Sequence, residues 1–304
     1  RSVVRFVARL LMRDFRWAIA VTGVTLICSI FLSILGVISA ASVSFVTLRE
    51  GGRVGFRLIA FSTLVVVLLD LLVLQFVDGH LDFLYLCAVL WFPALVLGYV
   101  LRRSESQASA LVIVAIIVGT YAGVFRFIVG DTQQFWYTQI SPILTQLYDN
   151  QEIGIQDSTI QSIANQMHHV SVAMLFAFYS ATILLARWWQ SELFNFGGFG
   201  DEFKKIKMPR ITLYIVSLIG VLVVSQALIG SQSGLVMDVF IIFTLLFAFQ
   251  GLSVVHFRAR SIGLARGWMI AFYSLVLLLP KLSGLILATT GVADGFADFR
   301  RAKD

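Results

Sequence analysis

Residues 108–129 read ASALVIVAIIVGTYAGVFRFIV, and they decide the fold. These 22 residues carry one charged side chain, Arg126. At about 1.5 Å per residue a helix of this length reaches about 33 Å, enough to cross a hydrocarbon core of about 30 Å. Comparable apolar runs occupy 17–46, 58–77, 83–101, 170–186, 211–229, 235–255 and 268–290. Over the 304 residues, 59% are hydrophobic and 13% charged, with a mean hydropathy of +0.89. Soluble domains carry about 25% charged residues, so roughly half the usual charge is missing. The expected fold is all-α: a polytopic transmembrane helix bundle forming one integral membrane domain over 1–304. About eight or nine helices are expected, some of them short or broken. A soluble enzyme, a nucleic-acid-binding domain and a disulfide-stapled scaffold are excluded. Cys28 and Cys87 both fall in apolar runs and read as small buried hydrophobes.

The polar punctuation between the runs carries the orientation. Residues 1–16 hold five basic side chains, 49–57 three, 102–103 two, 187–210 five and 258–266 three. The connections at 78–82, 131–169 and 230–234 hold none. Basic connections remain on the cytoplasmic side, which makes 131–169 an external loop and 187–210 a cytoplasmic one. The net charge of +6 is thereby an orientation signal at the membrane surface, and no nucleic acid is expected as a partner. The expected location is the bacterial inner membrane, crossed several times, with the first apolar run part of the mature protein.

Both ends need an even number of crossings. Residues 1–16 and 49–57 are both basic, so the run 17–46 is expected to fold as a hairpin hinged near Gly36, or else to form one tilted helix. Pro280 interrupts the last run, and Arg300, Arg301 and Lys303 favour a tail that has turned back there. In the external loop, Trp136, Ile140, Ile143, Leu144 and Leu147 recur at helical spacing. Ser158 and Gln161 have capping-box spacing, and Ile160, Ile163 and Met167 follow on one face. Two short amphipathic helices are expected there, either a lid or an interfacial connection.

Four charges fall inside apolar runs: Asp70, Arg126, Asp238 and Lys281. Each is costly in hydrocarbon and needs a partner or a cavity. From the outer helix ends, depths of about 10 Å for Asp70, 5 Å for Arg126 and Asp238, and 13 Å for Lys281 put all four in the outer half. Two anions and two cations balance there. One reading is an outward-facing pocket for a small polar solute, the other a pair of structural ion bridges. Lys281 has Leu277, not a carboxylate, one turn earlier, which argues against a retinal-type Schiff base. His80, His168 and His169 with Asp78 and Asp82 lack metal-ligand spacing and read as interfacial, so no metal and no cofactor are expected. Gln250 and His256 are expected to make interhelical hydrogen bonds. Gly36, Ala40 and Ser44 form a small-residue ridge, and Gly119 and Gly123 a GxxxG pair, both suited to close helix packing. The glycine-rich 194–200 stretch lacks the lysine–threonine ending of a phosphate loop. No nucleophile–base arrangement points to an enzyme.

Three places together resemble the YybS-like family of bacterial membrane proteins, a domain of unknown function. They are Val46-Thr47-Leu48-Arg49-Glu50-Gly51, then Ala186-Arg187-Trp188-Trp189-Gln190 running into Gly197-Gly198-Phe199, and Gly291-Val292-Ala293-Asp294 with Asp298-Phe299-Arg300-Arg301. The family has been likened to the substrate-binding subunits of energy-coupling-factor vitamin transporters, whose ligand pocket opens outward. Those subunits dock their coupling partner through alanines at four-residue spacing, and the Gly36, Ala40, Ser44 ridge is the nearest approach to that motif here. The resemblance implies a small-solute-binding or transport-related component. The alternative is a non-transporting scaffold or assembly partner of another membrane protein.

Overall fold

The computed structural model describes residues 2–71, 80–149, 155–230 and 234–300. Asp78 lies outside the described residues, as do Arg301, Lys303 and the side chains of His80 and Asp82. The described chain is helical throughout. In order come α1 (Ser2–Arg13), α2 (Phe15–Cys28), α3 (Ile34–Glu50), α4 (Gly52–Leu69), α5 (His80–Ser104), α6 (Gln107–Val129) and α7 (Thr132–Asp149). Then follow α8 (Asp157–Phe194), α9 (Gly198–Phe203), α10 (Arg210–Ile229), α11 (Gly234–Ser261), α12 (Arg266–Leu278) and α13 (Pro280–Ala297).

Among the described residues six helices are long and apolar enough to cross a membrane: α4, α5, α6, α8, α10 and α11. Counting the bent α12–α13 pair as one span brings the number to seven, short of the eight or nine expected. The shortfall lies at the two ends. The run 17–46 splits at 29–33 into α2 and α3, of 14 and 17 residues, each shorter than the roughly 20 residues of a full crossing. The last run breaks at Leu279, where Pro280 starts a new helix and the axis bends by 117°. Only 22% of the apolar stretch of α6, and of α10, is buried, and Phe127, Leu228 and Leu277 are 90%, 83% and 81% exposed. So much contiguous apolar surface belongs against lipid tails, not water.

The chain divides into two compact units. The first comprises 1–114, 177–207 and 256–258, the second 115–176, 208–255 and 259–304. In the first, Asp14 caps α2 by accepting the N–H of Arg16, and α3 folds back on α2. Ser39 donates to the carbonyl of Thr22 at 2.7 Å while Gly36 faces Ser29, so rising numbers on one helix meet falling numbers on the other. This is a hairpin, with its hinge at 29–33 just before Gly36. α3 is the most buried helix of this unit, with Ala40, Ala41, Val43 and Phe45 sealed from solvent. Trp91 of α5 donates to Ser39 at 3.0 Å and Ser44 donates to the carbonyl of Ala94 at 2.7 Å, tying α3 to α5. Arg102 satisfies the terminal carbonyls of Leu48 and Arg49, and Gly51 at φ +97 permits the abrupt start of α4.

The later part of α8 also belongs to the first unit. Tyr179 donates to the carbonyl of Val89 at 2.6 Å, and Trp189 packs edge-on against Phe45. The 187–210 segment is stitched in place. Arg187 pairs with Glu202, which also receives the amide of Gln107, and Arg49 lies 3.7 Å over the ring of Phe194. Cys28 and Cys87 are free thiols.

In the second unit the segment 131–169 differs from expectation in one respect. α7 is a separate amphipathic helix, but the helix beginning at Asp157 runs on unbroken for 38 residues as α8. No glycine or proline lies between Asp157 and Phe194, so nothing interrupts it. α11 and α13 cross closely. Gly251 faces the carbonyl of Leu287, and Gly291 faces that of Phe247, leaving no room for a Cβ at either.

Candidate functional site

The second turn of α11 carries an acid where an apolar span tolerates one least. Asp238 is fully buried, and removing a lone carboxylate from water costs several kcal/mol, so its partners decide whether it is tenable. Arg126 in the last turn of α6 donates Nε to Oδ2 at 2.6 Å, and its Nη1 donates to Oγ1 of Thr132 at 3.1 Å. Gly234 makes room, since a Cβ there would collide with the guanidinium. Consecutive histidines of α8 complete the set. His169 donates Nδ1 to Oδ1 at 2.6 Å, and Nε2 of His168 lies 3.4 Å from Oδ2, an electrostatic contact more than an aligned hydrogen bond.

Aromatic rings close around this cluster. Phe125 stacks on His168 at 4.8 Å and on Trp136 of α7 at 6.3 Å, while Tyr121 lies 6.0 Å from His168. His168 is 1% exposed, whereas the side chains of Arg126 and His169 are 20% and 23% exposed. The cluster therefore meets its surroundings through one guanidinium and one imidazole. Chemically it offers paired donors and acceptors to a polar group. Among the described residues no three His, Cys, Asp or Glu side chains are arranged to hold a metal ion.

The other sequence candidates stand elsewhere. Lys281, in the same unit as Asp238, is exposed on the first turn of α13 and is not among the partners of the cluster. Asp70 is buried at the end of α4 in the first unit. On the ridge, Gly36 faces Ser29 and Phe178, Ala40 is sealed, and Ser44 abuts Gly98. Gly119 sits 3.9 Å from Ile242, and a Cβ at Gly123 would meet nothing within 4 Å among the described residues. An open cleft of about 730 Å³ runs between α7 and the start of α8, lined by Tyr137, Ser141, Thr145, Gln146 and Asp157 among others. It does not include the Asp238 cluster.

A third buried acid has no counterpart among the site candidates of the sequence. Asp294 of α13 is sealed and pairs with Arg300, whose Nη2 lies 2.6 Å from Oδ2. Gln250 of α11 donates to the same oxygen at 2.8 Å and accepts the N–H of Met208 at 2.8 Å, and Arg300 also donates to Ser253. The hexad spacing of Asp294 and Arg300 matches no helical face. It works because the chain reverses at Asp298, φ +48, beyond the helix end. His256 packs edge-on against Phe203.

Six apolar helices of membrane-crossing length, with acids buried against basic partners, define the class: a multi-pass α-helical membrane protein, in keeping with the bacterial inner membrane. Within it, the chain belongs to the family described as "Predicted membrane protein (DUF2232)", which matches residues 18–295 and agrees with the YybS-like resemblance. No curated protein and no solved structure shows a significant match.

Proposed function

We propose that the chain is a small-solute-binding or transport-related component of the inner membrane, with Asp238 and its partners as the polar centre. One observation carries this reading: a fully buried carboxylate in an apolar span bonds to Arg126 and His169 at the edge of an amphipathic helix. In this proposal 131–169 faces outward, α7 is the lid, and the solute takes the place of Thr132 on Arg126 or of His169 on Asp238. The buried carboxylate of Asp70 and the exposed ammonium of Lys281 are separate candidate anchors. The basic segments, 187–210 included, face the cytoplasm. α2 and α3 then count as two short crossings beside the six long ones, and α12–α13 is a re-entrant pair, giving nine membrane-inserted units. The bond from Arg300 to Ser253, near the basic end of α11, supports a tail on that side.

The test is gentle extraction with native lipids and an intact-mass measurement. Wild type is expected to retain a small polar solute that Asp238→Asn and Arg126→Gln lose. Asp238→Asn also strips Arg126 of its partner, at a cost of about 3–5 kcal/mol for a buried pair, so melting is followed in parallel. Thr132→Val leaves the ion pair intact, removes the group that the solute displaces from Arg126 and separates the effects: retention rises while melting holds. A solute retained equally by all three variants removes the site.

A second reading has its own observation. The 187–210 segment is tied back by the Arg187–Glu202 pair, yet presents Phe196 at 63% and Phe194 at 49% exposure. That is the form of a docking knob on a scaffold or assembly subunit, in which case the Asp238 cluster is structural. Co-extraction of a stoichiometric protein without a solute favours it.

A further inference from the structure

α1 and the start of α2 expose a set of guanidinium groups of a different kind from those in the ion pairs. Arg5, Arg126, Arg187 and Arg300 each have a carboxylate partner. Arg13, Arg16 and Arg57 are exposed, and among the described residues none of them has one. The adjacent acid, Asp14, accepts the backbone N–H of Arg16 as the cap of α2. Tertiary packing brings together the helices that carry them. Phe15 meets Phe61 edge-on at 6.0 Å, which pins the start of α2 against α4. Arg57 lies four residues before Phe61, on the same face of α4, while Arg13 and Arg16 flank Phe15.

The apolar groups around these arginines match an interface. α1 turns Ala8 and Leu11 inward and leaves Arg9 and Arg13 with Phe6, 64% exposed, on its outer side. Trp17 is 45% exposed and Phe56 54% exposed, each next in sequence to one of the arginines. Arginine beside tryptophan and phenylalanine, at the point where an amphipathic helix gives way to an apolar hairpin, is the composition of a headgroup boundary. Guanidinium groups bind phosphate oxygens bidentately, and basic clusters next to a membrane segment attract anionic lipid.

We infer that Arg13, Arg16 and Arg57 form a binding site for the phosphate headgroup of an anionic phospholipid, with Trp17 and Phe56 against its acyl chains. The site is independent of the solute reading. Charge complementarity commits it to lipid over an apolar protein partner, and the adjoining hairpin supplies the hydrocarbon environment that a soluble phosphate ester would not need.

The test places the full-length protein in nanodiscs containing either phosphatidylglycerol or phosphatidylcholine and counts lipids retained on release into the mass spectrometer. Wild type is expected to retain phosphatidylglycerol and shed phosphatidylcholine. The triple variant Arg13→Gln, Arg16→Gln, Arg57→Gln should lose that retention by on the order of a hundredfold at low salt, at roughly fivefold per arginine. A charge-matched control, Lys204→Gln, Lys205→Gln, Lys207→Gln, should leave it unchanged. Equal losses in both triples would mean diffuse attraction and overturn the site, as would equal retention of the two lipids, or a bound acidic protein in place of lipid. If the triple variant fails to fold, Arg16→Gln and Arg57→Gln taken singly must each lower retention about fivefold.

Discussion

Tyr137 on α7 and Asp157 at the very start of α8 both lie outside the apolar runs, where ordinary aqueous titration applies. Tyr137 donates its hydroxyl to Oδ1 of Asp157 at 2.5 Å, and that hydrogen bond, with the carboxylate charge behind it, raises the phenol above its usual value of 10. The folded state thus favours the protonated phenol. The link contributes to stability below about pH 10 and is lost as pH rises through the raised value. Phenolate absorbance checks this: in Asp157→Asn one tyrosine should titrate at lower pH than in wild type, and identical curves would remove the link. This bond joins α7 to the first turn of α8 across 20 residues, a pairing that spacing alone does not suggest. The histidines are the same kind of case. Read one by one, His168 and His169 are interfacial, but opposite Asp238 their divergence of about 100° lets one carboxylate be flanked by both.

Among the helices, small residues at regular spacing are easy to see, but their partners are not. Gly119 and Gly123 form the more recognisable pair, yet the closest backbone approach in the second unit is at Gly251 and Gly291, which share no local motif. Gly251→Ala and Gly291→Ala should each force α11 and α13 apart and lower stability by about 1–3 kcal/mol or more. Gly123→Ala, with open space around it, should be neutral or stabilising by up to about 1 kcal/mol through helix propensity. Melting of the three variants in one detergent decides it; equal effects would mean that α11 and α13 do not pack as described. The breaks were more legible than the contacts. Pro280 cannot continue a helix, whereas the stop after Cys28 has no proline or glycine until Gly36 and needed the fold-back of α3 to define it.

For the whole chain, the arrangement of basic connections makes a prediction about sidedness. With Cys28→Ser and Cys87→Ala as background, Thr145→Cys should react with a membrane-impermeant maleimide in intact spheroplasts, and Lys205→Cys only after permeabilisation. Phe31→Cys, at the 74% exposed tip of the first hairpin, should react from outside more slowly than Thr145→Cys. Its legs of about 21 and 26 Å fall short of a core of about 30 Å, which leaves the tip at the edge of the hydrocarbon. Labelling of Lys205→Cys in intact spheroplasts would invert the topology, and protection of Phe31→Cys on both sides would make the hairpin re-entrant.

The amino-acid sequence by itself determined the solvent, the helical class, the six long apolar runs, the break at Pro280 and which charges need partners. These are properties of run length, composition and single breaker residues, and they are local. Only the tertiary structure decided which charges meet. Asp238 finds Arg126 from 112 residues away and His169 from 69, and Asp294 takes Gln250 across 44. Such pairings depend on which helices are neighbours and on the rotation of each about its axis. In a chain whose spans are apolar all round, hydropathy carries no information about that rotation.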